Sequence, residues 1–363
     1  MQSATESFAS RIIRWQRRDG RHDLPWQDTR DPYRIWVSEI MLQQTQVTTV
    51  IPYYQRFMAR FPALMALAEA DEQSVLALWS GLGYYARGRN LHRAARLIRD
   101  QHGGEFPRTL DGVMALPGVG RSTAGAICAF AFGQRHPILD GNVKRVLARA
   151  LGIAGFPGER EVEAALWARA QQLLPEQDVE PYTQGLMDLG ARLCVRRHPL
   201  CGQCPLLDDC EAYRQQRQHE LPAARPRRVL PRRHAFFVLV WDGASVLLQR
   251  RPPAGIWGGL WCFPLMDQAT ESAMVALTSS AGATIWRRVD LGAIEHGFTH
   301  YHLTINPIVL EVRPQGQAVQ DTQADWQWMT LDEAQAAGLP APVRALLPVL
   351  RSYAPPGDCV SNN

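Results

Sequence analysis

Four cysteines within 17 residues, Cys194, Cys201, Cys204 and Cys210, constrain this chain more than any other feature. Their spacing, C-x6-C-x2-C-x5-C, ties one short loop to a common centre. Four thiolates can close the shell of a zinc ion or hold a [4Fe–4S] cluster. Structural zinc usually presents two short C-x2-C pairs. With only one such pair here, the spacing favours iron–sulfur over zinc, and a disulfide pair is the bland alternative. The N-terminal "MQSATESFASRIIRW" is amphipathic and lacks the uninterrupted apolar core of a secretion signal, so metal ligation is favoured over disulfides. Cys128, Cys262 and Cys359 are scattered and read as buried or tail thiols. The pinned loop contains Arg196, Arg197 and His198, and so would hold cations at a defined place.

At 363 residues the chain exceeds what one core usually organises, so two domains are expected. Apolar residues make up 46% and charged residues 20%, the balance of a soluble globular protein. Apolar runs such as "AFFVLVW" (235–241) are strand-length, too short to span a bilayer. A cytoplasmic protein without a membrane partner is the expectation. The net charge of +4 is modest, but its arginines cluster in "YYARGRNLHRAARLIR" and "RPRRVLPRR". Each cluster alone reads as a solvated helix face or a basic linker; together they favour an anionic polymer as partner.

Residues 1 to about 220 read as helix. "YRIWVSEIMLQQTQVTTVIPYYQRFMARF" carries a helical stripe through Ile35, Trp36, Ile40, Val47, Val50, Ile51 and Tyr54, with an irregularity expected at Pro52. After the cysteines the texture changes. "LPAARPRRVLPRR" has three prolines, five arginines and no apolar period, the composition of a linker. Beyond it, "HAFFVLVWDGASVLLQRR" reads as two strands around an Asp242-Gly243 hairpin, followed by further strands and one or two helices. The reading is therefore multidomain: an all-α domain over 1–221 with the cysteine loop at 194–210, a basic linker over 222–233, an α/β domain over 234–352 and a tail over 353–363.

In "LPGVGRSTA", Gly118 and Gly120 permit positive φ and close backbone approach, and the helix that follows offers unpaired N–H groups to an anion. Most such turns are only turns. Some 20 residues on, "HPILDGNVKRVL" places Asp140 before a glycine and a helix that begins near Asn142. From the residues alone Asp140 reads as an N-cap. Glu39 lies on an apolar helix, where burial would raise its pKa, or else faces solvent.

The hairpin, the Asp140 loop and the cysteine spacing together resemble the helix-hairpin-helix DNA glycosylase superfamily, iron–sulfur branch. "VSEIMLQQTQV", "GLGYYARGRNLH", "PILDGNVKRVLAR" and "QGLMDLGARLC" resemble its MutY family, the adenine DNA glycosylases acting opposite 8-oxoguanine. The resemblance runs from about residue 7 to 350. It implies a [4Fe–4S] cluster on the four cysteines and a monovalent cation at the hairpin. Glu39 then matches the general acid that protonates adenine at N7, and Asp140 the carboxylate that stabilises the oxocarbenium ion. Gln44 and Tyr84 match residues inserted where the flipped nucleotide leaves the stack, and Gln184 a contact to the flipped adenine. Gly118, Gly120, Ser122 and Asn142 fall among the expected DNA contacts. The implied partner is double-stranded DNA carrying 8-oxoguanine:adenine or guanine:adenine mispairs, bound by a monomeric, bacterial, nucleoid-associated protein.

Bifunctional glycosylase/lyases of this superfamily carry a lysine where Ser122 stands. A hydroxyl cannot form a Schiff base, so a monofunctional enzyme leaving an abasic site is expected. Lys144, close to Asp140, could still trap an abasic sugar adventitiously. The C-terminal part resembles a Nudix-like 8-oxoguanine-recognition domain. "ATESAMVALTSSAGA" lacks the paired glutamates that hold magnesium in a true Nudix hydrolase, so pyrophosphate hydrolysis is not expected. In "EHGFTHYH", alternation would place His296, Phe298, His300 and His302 on one strand face. Phe298-Thr299-His300 matches the family's Phe-Ser-His reading loop, with threonine for serine. Competing readings are a pyrimidine-directed or bifunctional glycosylase on the same scaffold, or a non-catalytic DNA-binding protein.

Overall fold

The computed structural model describes residues 6–226, 229–314 and 325–353; Cys359, most of the expected tail and two linker arginines lie outside them. The chain divides into two compact units. One is Met1–Glu69 with Asn90–Arg227; the other is Arg228–Asn363 joined by Ala70–Arg89. A 20-residue segment of the helical half thus packs with the C-terminal half.

The first unit is helical: α1 (Phe8–Asp19), α2 (Pro32–Leu42), α3 (Val47–Arg60) and α4 (Leu64–Glu69) precede the excursion into the other unit, which begins with α5 (Glu72–Trp79). The chain continues through α6 (Ala86–His102), α7 (Leu110–Met114), α8 (Arg121–Phe132), α9 (Gly141–Ala150), α10 (Arg160–Gln172), α11 (Val179–Arg192) and the short α12 (Glu211–Arg214). The long stripe expected to bend at Pro52 instead breaks into α2 and α3 at Gln43–Gln46, and Pro52 lies inside α3. Gln44 takes φ 57° there, a left-handed conformation that ends the first helix. α2 starts on an Asp31 cap with Pro32 behind it, and all but a few of its side chains are buried. α1, α9 and α11 share one core built on Ile12, Val146, Leu147 and Leu189.

Among the described residues the second unit holds an eight-stranded sheet. β1 (Arg232–Trp241), β2 (Ser245–Arg250), β3 (Trp261–Cys262), β4 (Leu265–Met266), β5 (Ala283–Asp290), β6 (Ile294–Gly297), β7 (His302–Pro314) and β8 (Trp326–Thr330) are joined by α13 (Glu271–Ser280), α14 (Leu331–Ala336) and α15 (Ala341–Leu350). The main path runs β3-β2-β1-β7-β5; β1 and β7 are parallel and the other pairs antiparallel. Asp242 closes the β1–β2 hairpin by accepting from the N–H groups of Ala244 and Ser245 at 2.8 and 2.6 Å. β1 begins at Arg232, inside the basic stretch read as linker. One sheet face carries a core around Phe237, Leu239, Phe263 and Val309 that includes Leu76 of α5; the other packs α13 through Met274 and Leu277.

The strand expected across His296–His302 does not form. β6 ends at Gly297 and β7 starts at His302, with Phe298 N–H donating to the Tyr301 carbonyl at 2.9 Å. Phe298, Thr299 and His300 therefore occupy a hairpin tip, where side-chain alternation does not apply.

Candidate active site and cysteine loop

In the first unit a cleft of about 1330 Å³ is lined by Glu39, Gln44, Gly120, Ser122, Asp140, Asn142 and Gln184. Seven residues drawn from four separate motifs thus share one cavity. Gly118 lies beside it rather than on it, its carbonyl accepting from Gln43 Nε2 at 3.4 Å. Tyr84, Phe298, Thr299 and His300 belong to the second unit.

Glu39 sits half-buried on α2 among Ile35, Ser38 and Leu42 at the cleft wall. Burial, reinforced by the negative charge of Asp140, pushes its carboxyl up to about 8, so it is a neutral proton donor at pH 7. Asp140 is the N-cap of α9. Its Oδ1 accepts from Val143 N–H at 2.8 Å. Burial raises its pKa, opposed by the Val143 and Asn142 N–H groups and the charges of Arg145 and Lys144. The helix N-terminus thus favours the ionised form of Asp140, whereas Glu39 has no such support. Capping and a place in the cleft are both properties of Asp140, not alternatives.

Ser122 stands in the first turn of α8, and its Oγ accepts the N–H of Leu139 at 2.9 Å, one residue before Asp140. Of the two hairpin glycines, only Gly118 takes a positive φ, 82°. Gly120 is extended (φ −92°) and caps α8 without a side chain. A Cβ added there would meet nothing within 4 Å. Its value is open approach to the helix N–H groups, not backbone freedom.

Gln184 is buried on α11. Its Nε2 donates to Asp188 Oδ1 at 2.8 Å, and fully buried Asp188 is held by Arg21 through the backbone N–H (2.8 Å) and Nε (2.6 Å). A carboxylate paired with arginine accepts only, so the amide nitrogen of Gln184 must face Asp188 and its Oε1 is left as an acceptor. Sequence reasoning missed Asp188 and Arg21. The signal was present as two polar residues four apart on a helix face otherwise occupied by Leu and Gly. It also missed Arg145, whose Nη2 donates to Asn142 Oδ1 at 2.8 Å and to the Gly190 carbonyl at 2.7 Å, while Nε donates to the Cys194 carbonyl at 2.7 Å. Gly190 is required at this crossing: a Cβ would lie 2.5 Å from that of Asn142.

The four cysteines are free, half-buried and mutually close enough to perturb one another. Burial, followed by the neighbouring thiols, pushes Cys204 up to about 12. Among the described residues no group of three or more His, Cys, Asp or Glu converges as a single-ion site. Four thiolates are a donor set that fits a [4Fe–4S] cluster. Buried Arg149 supports the loop by donating to the Val195 and Arg196 carbonyls at 2.7 and 3.1 Å and to Cys194 Sγ at 3.4 Å.

In the second unit Phe298 is ringed by Trp257, His296 and Tyr301, with centroids at 5.4, 4.7 and 4.8 Å. Thr299 and His300 project from the hairpin tip and are exposed. No helix among the described residues is long and apolar enough to cross a membrane.

Residues 37–172 match the HhH-GPD superfamily of base excision DNA repair proteins, 194–210 the iron–sulfur binding domain of endonuclease III, and 235–348 the NUDIX domain. The match to the iron–sulfur domain assigns the four thiolates to a [4Fe–4S] cluster. The adenine DNA glycosylase of Buchnera aphidicola (from Acyrthosiphon pisum) is 34% identical, covering 94% of this chain and 96% of its own. The human adenine DNA glycosylase is also 34% identical, covering 98% of this chain and 76% of its own. Among solved structures, a thermostable thymine-DNA glycosylase aligns with a TM-score of 0.52 and 30% identity, over 57% of this chain and 95% of that one. Likeness to the thymine enzyme covers only about half the chain, whereas likeness to the adenine enzymes spans nearly all of it, cysteine loop and second unit included. The chain is a member of the adenine DNA glycosylase family, on a helix-hairpin-helix domain followed by a Nudix-like one.

Proposed function

We propose that the protein removes adenine paired with 8-oxoguanine, or with guanine, from double-stranded DNA and leaves an abasic site in an uncut strand. The observation that carries this reading is the pairing of a neutral Glu39 with an ionisable, N–H-supported Asp140 in one cleft. Breaking a purine N-glycosidic bond needs a proton on the base and a negative charge beside the sugar, and these two carboxyls divide that work. Glu39 gives its proton to N7 of the flipped adenine, and the C1′–N9 bonding pair leaves with the base. Asp140 stabilises the sugar cation, and water adds at C1′ as its proton passes to a carboxylate. The Oε1 of Gln184 accepts from the exocyclic amine. Ser122 offers no amine to the sugar carbon, so no imine forms there.

The α8 N-terminus behind Gly118 and Gly120 binds backbone phosphate, and the hairpin would hold the monovalent cation that the resemblance implies. Gln44 and Tyr84, both held at positive φ (57° and 48°), enter the stack and offset the few kcal/mol (about) of unstacking. Strain of this kind clusters where a side chain must be aimed. The Phe298–Thr299–His300 tip reads the 8-oxoguanine left on the opposite strand. Cys194, Cys201, Cys204 and Cys210 would hold the [4Fe–4S] cluster, which would cross-link the loop carrying Arg196, Arg197 and His198 toward the duplex. The protein acts as a monomer on the nucleoid.

End-labelled duplexes with 8-oxoguanine:A, G:A, G:T and G:C pairs, treated with alkali after incubation, test the reading. Cleavage is expected at adenine only, and only after alkali. Release of thymine from G:T, or strand breaks without alkali, would overturn it.

A further inference from the structure

The Tyr84 loop is anchored within the second unit in a way that the family assignment does not explain. α5 ends at Trp79 with Ser80 as its cap, and the next four residues, Gly81 to Tyr84, include three at positive φ: 96° at Gly81, 76° at Gly83 and 48° at Tyr84. Tyr84 is 48% exposed, on a backbone that an L-residue adopts only under constraint. Both ends of this loop are fixed to one acceptor. Ser80 Oγ donates to the Leu339 carbonyl at 2.6 Å, and Tyr85 Oη donates to the same carbonyl at 3.2 Å.

Arg344 of α15 completes the clamp. Its Nη2 donates to Ser80 Oγ at 3.0 Å and to the Ala337 carbonyl at 3.3 Å, and its Nη1 to the Gln335 carbonyl at 3.0 Å. A guanidinium fork bonded at three points holds Ser80 in the rotamer that reaches Leu339. The backbone beside it has no slack: a Cβ on Gly338 would lie 3.1 Å from that of Leu76, which is buried in the sheet's core. The residues supporting Tyr84 are thus drawn from the C-terminal part of the chain, which also carries the Phe298–His300 tip.

We propose that Arg344 is a positioning residue for mispair recognition, setting the pose of Tyr84 through Ser80 and the Leu339 carbonyl. This rests on the reading of Tyr84 as an inserting residue. It makes mispair affinity depend on α15, which offers no chemistry of its own.

The test uses the full-length, cluster-loaded protein and fluorescence anisotropy on two duplexes. One carries 8-oxoguanine opposite 2′-fluoro-2′-deoxyadenosine, which resists cleavage; the other is fully matched. Arg344→Met is expected to weaken binding to the mispair duplex about tenfold, equivalent to ~1.4 kcal/mol, and to leave matched-duplex binding unchanged. In a Tyr84→Ala background Arg344→Met should add less than about twofold, because the two act as one unit. Ser80→Ala, which removes only the bridging hydroxyl, should reproduce the selective loss, and thermal unfolding of each variant identifies any that is misfolded. Equal loss on both duplexes, or additive effects of Arg344→Met and Tyr84→Ala, would overturn the clamp. Wild-type protein that leaves adenine in an 8-oxoguanine:A duplex would overturn the functional reading as well. Wild-type protein that releases it, with Ser80→Ala and folded Arg344→Met matching wild type in mispair binding, would overturn the clamp alone.

Discussion

Ser122 Oγ accepts the backbone N–H of Leu139 at 2.9 Å, joining the first turn of α8 to the residue before Asp140. The position that lacks a nucleophilic amine is therefore also a brace for the carboxylate loop. Ser122→Ala should retain the fold, losing the roughly 0.5–1.5 kcal/mol of one hydrogen bond. Adenine release should slow about tenfold, the scale on which slight misplacement of a catalytic group acts. Single-turnover kinetics with a parallel thermal melt check both.

Glu39→Gln should bind the 8-oxoguanine:A duplex normally and lose adenine release by about 10²–10⁴-fold, the range of general acid catalysis. Wild-type activity should persist to about pH 8 and fall above it, as the Glu39 proton is lost. Stability shifts in the same window. Between the ordinary value of 4.5 and about 8 the folded state holds a proton that the unfolded state has released, so stability declines as pH rises across that interval. Glu39→Gln removes this decline, and its unfolding temperature should exceed that of wild type at pH 8 by more than at pH 5.

Gly190→Ala should damage the site from behind. The added methyl would meet the Cβ of Asn142 at 2.5 Å and must push α9 from α11. Overpacking of this kind costs ~1–3 kcal/mol. A melting point lowered by several degrees, with adenine release reduced more than duplex binding, is the expected pair of results.

Cys204→Ser should lower iron content and visible absorption and abolish tight DNA binding, because ligation and folding of the 194–210 loop are coupled. The core of α1, α9 and α11 includes Leu206 of that loop and packs against Cys194 and Cys204, so the melting point should fall, while far-ultraviolet dichroism, set by the long helices, should stay close to wild type.

Lys144 is the chain's single lysine, and its Nζ pairs with Glu163 at 2.5 Å. Any borohydride-trapped adduct to a side-chain amine must therefore pass through it. Lys144→Ala should eliminate such adducts while leaving adenine release within about twofold, since a partly exposed ion pair contributes little. Gel analysis after borohydride treatment checks the first, a single-turnover assay the second.

Much of the site was legible because its chemistry is local in sequence. The cysteine loop announces itself within 17 residues, and the Asp140 cap and the glycine hairpin within about a dozen each. The Asp242-Gly243 hairpin was legible for the same reason. What escaped was set by tertiary contacts. Helix α2 stops at Leu42 and not at Pro52, because a left-handed Gln44 turns the chain just beyond it whereas α3 absorbs the proline. The strand read through "EHGFTHYH" turns at Phe298, since aromatic packing around that ring outweighs alternation. Asp188 and Arg21 are 167 residues apart, a separation no local pattern bridges.

The place of Leu76 bears on how this gene could be dissected. Its side chain is fully buried in the sheet's core although it precedes β1 by more than 150 positions. A fragment ending at the basic linker would expose that leucine to water, and a fragment starting there would have a hole where it belongs. Clones trimmed at the apparent seam should express as sticky, half-finished pieces, and a graft onto another scaffold would have to carry residues 70–89 with the sheet.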